Sequence, residues 1–504
     1  MNHNLYAHFA SRFVDDRDRP LLETSEGQSY RFADIDHRAA QIAEVLVSRG
    51  VRTGDRVSVQ VEKSAENLSL YFACLRAGAV YQPLNRGYRR TELEYFIGNA
   101  EPALVICDSS SEAELRAIAS QAGTDQVLTL DGDGSGSLGQ AADTMPGDFG
   151  VLQREADDLA ALLYSSGTTG VPKGIMLTHG NLLANGETLV DAWGFTSSDR
   201  LLHALPIFHV HGLFVAVSCV MLSGASMRWL AGYDAERVLS YLSECTVFMG
   251  VPTYYTRLLA EPGLTTDACT GMRLFVSGSA PLLEETFRAF EARCGHRILE
   301  RYGMSETNMN ASNPLEGERR PGTVGPSLPG VEIRIVDSEG RGLAMDEIGH
   351  LQVRGPNVFA GYWRLPEKSA EDFSEDGFFN TGDLGRIDAD GYVTIVGRNK
   401  DLVITGGLNV YPKEVEFFID DLPGVRESAV IGVAHADFGE AVVAVVVRAE
   451  EAATNEADII GSCRESLAAF KTPKRVVFVD ELPRNTMAKV QKNALRETFV
   501  RLFD

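Results

Sequence analysis

Paired cysteines are missing from this chain. Its seven cysteines in 504 residues never stand closer than 24 positions apart, a spacing that supplies no CxxC, zinc ribbon or disulfide framework. Scattered thiols in a chain of this size point to a reducing compartment. Positive charge is scarce as well: 47 Lys and Arg against 70 Asp and Glu leave a formal net charge of −23. Most of the surface therefore repels a phosphate backbone, which excludes nucleic acid as a partner but leaves room for a local basic pocket holding a small anion. Long apolar runs are lacking too. The stretch 213–222 is broken by Ser218 and ends in Ser-Gly-Ala-Ser, short of the ~20 apolar residues of a membrane span. The opening MNHNLYAHFASRFVDDRD has neither the basic start nor the apolar core of a signal peptide. A cytoplasmic protein without a membrane partner is expected.

What is present is ordinary in balance, with 44% hydrophobic and 23% charged residues, as in soluble globular proteins. The length exceeds the roughly 250–300 residues at which a single core stops growing, so two or more domains are expected. Residues 39–49 have helical spacing and close at Gly50, 55–61 alternate like a strand, 68–77 form a second helix, and 79–84 read as another strand. This alternation predicts an α/β architecture. The segment 130–150, rich in Gly, Asp and Ser, reads as surface loop. It contains Gly134-Ser-Gly136-Ser-Leu-Gly139, a match to the dinucleotide fingerprint, but the pattern behind it breaks too soon for a long helix to face a pyrophosphate. A nicotinamide site is therefore not expected there. Beyond residue 400 a hairpin over 401–412, a helix over 412–422, strands at 428–433 and 441–449, a helix over 456–470, a strand at 475–479 and a terminal helix form a compact α+β unit.

The richest stretch for chemistry is YSSGTTGVPKG at 164–174, behind the buried-strand pattern LAALLY. Ser165, Ser166, Gly167, Thr168, Thr169, Gly170 and Lys173 combine glycines that free backbone N–H groups with hydroxyls and a cation, the groups that cradle phosphate. GxxxxGK[ST] cannot be fitted to it, so it is not a Walker A loop.

This motif resembles the signature of the adenylate-forming enzymes, which include acyl- and aryl-CoA synthetases, adenylation domains of peptide synthetases, and firefly luciferase. The resemblance recurs in chain order at PIFHVHG (206–212), SGSAP (277–281), RYGMSET (301–307), NTGD (380–383), GRNKD (397–401) and PRNTMAK (483–489). Within that family, MGVPTYYTRLL, ERYGMSETNMN and LPRNTMAKVQKN are most similar to malonyl-CoA synthetases. The resemblance implies a large N-terminal domain of several mixed sheets over 1–397 that binds ATP and acid. It further implies a hinge at 398–400 and a small, mobile α+β domain over 401–504 carrying the catalytic lysine. The implied reaction is ATP-dependent, AMP-forming ligation of a carboxylic acid, malonate or a close relative, to coenzyme A with Mg2+. Short-chain or aryl acid–CoA ligation is the alternative, as is an adenylation enzyme that loads a carrier protein. Amino-acid-activating modules place an aspartate near the PIFHVHG region, and that motif contains none.

The resemblance carries over residue by residue. Lys489 is implied to contact the carboxylate and the α-phosphate during adenylation. Ala488 stands where the family usually has glycine, which narrows that loop's backbone freedom and bears on recognition by a lysine acetyltransferase acting on Lys489. Glu306 is implied as the Mg2+ ligand, with Thr168 beside it. Tyr302 is implied to stack near adenine, walled by Gly278, Ser279 and Ala280 and followed by Gly303, Met304 and Ser305. Asp383 and Arg398 are implied to reach the ribose. His209 is implied as a gate between the acyl and CoA sites and His211 as a packed structural residue. Lys400 falls at the hinge, and Gly406 and Gly407 would let backbone approach pantetheine. For malonate's distal carboxylate the candidates are His209 and Arg301. Arg301 is the less expected of the two, because side chains adjacent on an extended segment point opposite ways. At 230–234 the chain reads LAGYD, where malonyl-CoA synthetases carry a lysine-containing PKFD-like segment.

Overall fold

The computed structural model describes residues 2–164, 172–405, 408–435, 438–449, 452–467, 469–485 and 489–503. The expectations placed on Ser165, Ser166, Gly167, Thr168, Thr169, Gly170, Gly406, Gly407 and Ala488 lie outside them.

Three sheets build the large N-terminal domain. The first has six strands in the spatial order Val127–Thr129, Leu104–Cys107, Arg56–Gln60, Val80–Pro83, Leu159–Tyr164 and Gly174–Thr178. All its neighbours run parallel except the last pair. Central strands such as Leu104–Cys107 and Val80–Pro83 are buried along their whole length, the continuous apolar pattern of a parallel sheet covered on both faces. The second sheet has eight strands in the order Asn308–Ser312, Leu299–Met304, Leu274–Ser277, Val247–Gly250, Arg200–His203, Ser226–Trp229, Pro20–Thr24 and Ser29–Arg31. It is parallel through its centre and antiparallel at both edges. One hydrophobic core joins the two sheets, and the helix Ala65–Arg76 is buried almost all round within it. The third is a four-stranded antiparallel sheet, Glu332–Val336, Gly349–Arg354, Phe379–Ile387 and Val393–Arg398.

After the single 3-10 turn Asn399–Asp401 the chain enters a separate five-stranded sheet with its own cores. The expected hairpin forms there from Val403–Thr405 and Leu408–Val410. The expected helices appear at Pro412–Asp420, Glu456–Ser466 and Lys492–Thr498.

Two local expectations need correction. The helix expected from residue 39 begins at Phe32, where the Arg31 N–H donates to Asp34 Oδ2; its opening buries Phe32 and Ile35, but Asp34, Asp36, His37 and Arg38 interrupt the apolar spacing there. The 130–150 segment is not all loop: a short helix, Ser137–Ala142, starts after Gly136 at φ +107° and is tied to Thr129 through Ser137. With only six residues it still offers no long helix to a dinucleotide. All seven cysteines are buried and free. Among the described residues no helix is long and apolar enough to cross a membrane.

Candidate active site

Catalytic crevices of open α/β sheets form outside the carboxyl ends of parallel strands, and the motif residues gather at such an edge. Leu274–Ser277 ends in Gly278 and Ser279, the latter in the left-handed region at φ +69°. The neighbouring Leu299–Met304 strand carries Arg301 and Tyr302, then turns through Ser305–Thr307 into Asn308–Ser312. Glu306 therefore sits at a hairpin tip. A Cβ on Gly303 would lie 1.9 Å from the Asn308 carbonyl oxygen, so the hairpin closes only with glycine there.

Tyr302 and Arg301 face different neighbours, as alternation requires. The Tyr302 hydroxyl donates to Asp383 Oδ2, and Arg398, cross-strand from Asp383, places Nε 2.5 Å from its Oδ1. Thr381 Oγ1 accepts the Asp383 N–H at 3.0 Å. Asp383 is almost fully buried and anchored from three sides. Burial and the Asp383 charge push the Tyr302 phenol well up, while Asp383 raises the Arg398 guanidinium. This rigid trio is a ready hydrogen-bonding shelf.

Arg301 sits in the opposite situation. It is 3% exposed, its Nε and Nη2 have no hydrogen-bond partner, and it has no ion pair among the described residues. Its guanidinium packs so closely on Gly278 that a Cβ there would lie 2.5 Å from Cζ. The groups around it are also basic. Burial, then Lys489 and Arg301, drive the His209 imidazole down to about 3; burial, Arg301, His209 and His203 drive His211 well down. His211 Nδ1 lies 3.3 Å from Ser279 Oγ, and its Nε2 is buried without a partner. His211 is thus packed, as expected, but it also faces the site.

Lys489 reaches this cluster from the small domain. Its loop is closed by Asn485, whose Oδ1 accepts the Lys489 N–H at 3.0 Å and whose N–H donates to the Lys489 carbonyl at 2.9 Å. Lys489 is exposed to solvent and lies within electrostatic reach of Arg398, Asp383, Glu306 and Arg301. Desolvation first, and Arg398 second, bring its amine down to about 8. Glu306 is buried, and burial raises its carboxyl despite Arg398, Lys173 and Lys489 nearby. Lys173 Nζ lies 4.2 Å from the Tyr362 ring centroid and 3.7 Å from Asp372 Oδ2, and the Tyr362 hydroxyl stands 3.5 Å from Glu306 Oε1. Among the described residues no cluster of three or more His, Cys, Asp or Glu could hold a metal by itself. The single buried carboxyl of Glu306 would supply one oxygen ligand to a hard cation whose other ligands are water and phosphate oxygens.

The structure brings Gly278, Ser279, Arg301, Tyr302, Glu306, Asp383, Arg398, Lys489, His209 and Lys173 into one crevice. Ala280, Met304 and Ser305 lie half-buried along its edge. Lys400 is exposed in the Asn399–Asp401 turn, away from the crevice floor, and neighbouring Asp401 bonds Arg496 at 2.7 Å. Sequence reasoning gave Thr381 no role although it stands inside NTGD, and it missed Tyr362, which lies in no motif with a charge or spacing of its own. The 230–234 segment is tied down locally. Asp234 caps the next helix, and Tyr233 stacks on Tyr254 with centroids 3.8 Å apart.

Residues 9–363 match the family model described as AMP-binding enzyme, and residues 414–489 match the AMP-binding enzyme C-terminal domain. A malonate–CoA ligase of Arabidopsis thaliana is 33% identical, covering 94% of this chain and 85% of its own length. A sulfoacetate–CoA ligase of Cupriavidus necator is 34% identical, covering 97% and 96%. The solved structure of MatB from Rhodopseudomonas palustris is 54% identical over the whole of both chains, with a TM-score of 0.98 for its ATP-bound form and 0.88 for its apo form. Motifs, sheet order and crevice agree with these matches: the chain belongs to the AMP-binding, adenylate-forming enzyme family.

Proposed function

We propose that this protein is an AMP-forming acid–CoA ligase whose substrate is malonate or another short acid with a distal anionic group. The carrying observation is Arg301, a buried guanidinium with two unpartnered nitrogens and only basic or neutral neighbours. An unpaired buried charge costs several kcal/mol, and a substrate's distal carboxylate would offset that cost at the moment of binding. The sulfonate of sulfoacetate would serve the same guanidinium, which makes it the natural second acid to test.

In this reading a carboxylate oxygen of the acid attacks the α-phosphorus of ATP, the bond to the β-phosphate oxygen breaks, and pyrophosphate leaves. Lys489 stabilises the charge that builds on the α-phosphate, as a cation held where that charge develops does. Asp383 accepts from the ribose hydroxyls, held by Tyr302 and Arg398, and Gly278, Ser279 and Ala280 wall the adenine. Glu306 and Thr168 would hold Mg2+, which would supply charge neutralisation for the departing pyrophosphate. Lys173 and its loop hold the triphosphate. In the second step the CoA sulfur attacks the acyl carbonyl, its proton passes to solvent and AMP leaves.

The small domain, 401–504, turns about 398–400 between the steps, carrying Lys489 away and bringing Gly406 and Gly407 toward pantetheine past His209. The higher similarity to the ATP-bound relative supports an adenylation-ready arrangement here. Seven reduced, buried thiols suit the cytosol. The test is AMP release from ATP with malonate, dependent on CoA, together with malonate-dependent ATP–pyrophosphate exchange without CoA. Exchange that proceeds while no CoA thioester forms would favour a carrier-loading enzyme instead.

A further inference from the structure

We propose that Lys63, acting through His203, is a positioning residue that sets the shape of the loop carrying His209 and His211. The inference rests on the ligase reading for what that loop does. His203 closes the strand Arg200–His203, and the chain returns through Pro206–His209 to the helical turns that begin at His211. The loop is pinched at its neck: His203 Nε2 stands 2.9 Å from the Gly212 carbonyl oxygen. A Cβ on Gly212 would lie 2.0 Å from the Pro206 carbonyl oxygen, so the neck has no slack.

A carbonyl only accepts, so His203 must carry its proton on Nε2, and Nδ1 must then accept. The donor is Lys63, whose Nζ lies 2.9 Å from Nδ1 and 3.0 Å from the His203 carbonyl oxygen. Lys63 also lies 4.4 Å from the Trp229 ring centroid, and Trp229 packs against the His203 ring at 4.6 Å. Remove that donor and the other tautomer becomes accessible, turning the Nε2 lone pair against a carbonyl oxygen. Lys63 thus specifies a tautomer, and the tautomer holds the neck.

The location gives this pair its reach. Lys63 follows the strand Arg56–Gln60 of the six-stranded sheet, just ahead of Ser64, which caps Ala65–Arg76 through the Asn67 N–H at 3.1 Å. His203 belongs to the eight-stranded sheet, so the bond ties both sheets beside a cavity of about 160 Å3 that Pro206, Ile207 and Phe208 line from the loop side. Lys63 has no ion pair to hold it elsewhere among the described residues, and burial pushes both its amine and the His203 imidazole well down.

The experiment compares Lys63→Met, Lys63→Gln, His203→Gln and the Lys63→Met/His203→Gln double variant with the wild-type full chain. Nitrogen-15 NMR of the histidine rings, with His203 assigned by its loss in His203→Gln, reads the tautomer independently of activity. The expected result is a protonated Nε2 in the wild type and a mixed or reversed tautomer in Lys63→Met. Lys63→Gln, a neutral donor, should keep the wild-type signal. Malonate-dependent exchange should fall at least tenfold in Lys63→Met, with the malonate-to-butyrate preference shrinking at least fivefold. His203→Gln places an amide donor against Gly212 whatever Lys63 does, so adding Lys63→Met to it should cost less than threefold. An unchanged His203 signal in Lys63→Met, or the same loss in the His203→Gln background, would overturn the inference. Absence of CoA-dependent AMP release from the wild type would instead strike the ligase reading, with the tautomer result still deciding the Lys63 contact.

Discussion

Lys489 is a lysine whose usefulness depends on its proton. Its amine titrates near 8 because the cleft desolvates it and Arg398 repels it, so the cation is present at neutral pH and is lost as pH rises through that value. The adenylation kcat/KM for malonate should therefore decline above about pH 8, and Lys489→Arg should move that limb upward. Lys489→Ala should lower malonate-dependent exchange by about a hundredfold or more while leaving thioester formation from supplied malonyl-adenylate within roughly threefold. Equal loss in both steps would show that Lys489 is not confined to the first. Histidine gives the contrasting case: His209, driven down to about 3, is neutral throughout this range and contributes no limb.

At the scale of elements, the Leu299–Met304 strand and the 277–282 loop work as one unit. Arg301 presses on Gly278 from one side, and Glu300 Oε1 accepts the Leu282 N–H at 3.0 Å. Gly278→Ala should push the guanidinium aside and raise the malonate KM several-fold. Burial raises the Glu300 carboxyl to about 8, against Lys413 and the Leu282 N–H, which lower it. The folded state therefore holds a proton that the unfolded chain releases near 4.5, so stability is lost as pH climbs from about 4.5 to 8. Glu300→Gln should be more stable than the wild type at pH 8 by roughly 1–3 kcal/mol, with the gap closing by pH 5; a constant gap in thermal unfolding would refute the linkage.

The same strand shows what a sequence discloses. RYGMSET marked Tyr302 and Glu306 through the family resemblance, which also sent Asp383 and Arg398 to one ribose, but the direct pair between them shows only once their strands lie side by side. Arg301 was legible only as a backbone position. Alternation correctly sends it away from Tyr302, but the pocket lies on both faces of the strand end, and only the packing of Gly278 against the guanidinium shows it. His203 and Lys63 sit 140 positions apart on different sheets, and no local pattern announces a contact of that kind. Strands of the six-stranded sheet such as Val80–Pro83 and Leu159–Tyr164 read clearly because they are mostly apolar, whereas the strands of the eight-stranded sheet were not read; the start of the Phe32–Ser48 helix was missed because Asp34, Asp36, His37 and Arg38 interrupt the apolar spacing around Phe32 and Ile35.

Across the whole molecule, the proposed reading asks one crevice to serve two reactions, and the chain passes from the large domain to the small one through the short turn Asn399–Asp401. Proline at Lys400 would fix φ at the turn the proposed rotation uses. Lys400→Pro should spare ATP–pyrophosphate exchange and lower CoA thioester formation by tenfold or more; unchanged thioester formation would remove rotation about this turn from the account. The choice of acid belongs to this scale too, since Arg301 comes from the large domain and Lys489 from the small one. The most direct test is CoA-dependent AMP release with malonate, sulfoacetate, propionate, butyrate and benzoate, in wild type and in Arg301→Met. The account predicts a kcat/KM for malonate at least about tenfold above propionate and butyrate, which asks ~1.4 kcal/mol of the charge pair, and a preference that vanishes in Arg301→Met. A wild-type preference for butyrate or benzoate, or a malonate preference that survives Arg301→Met, would contradict it.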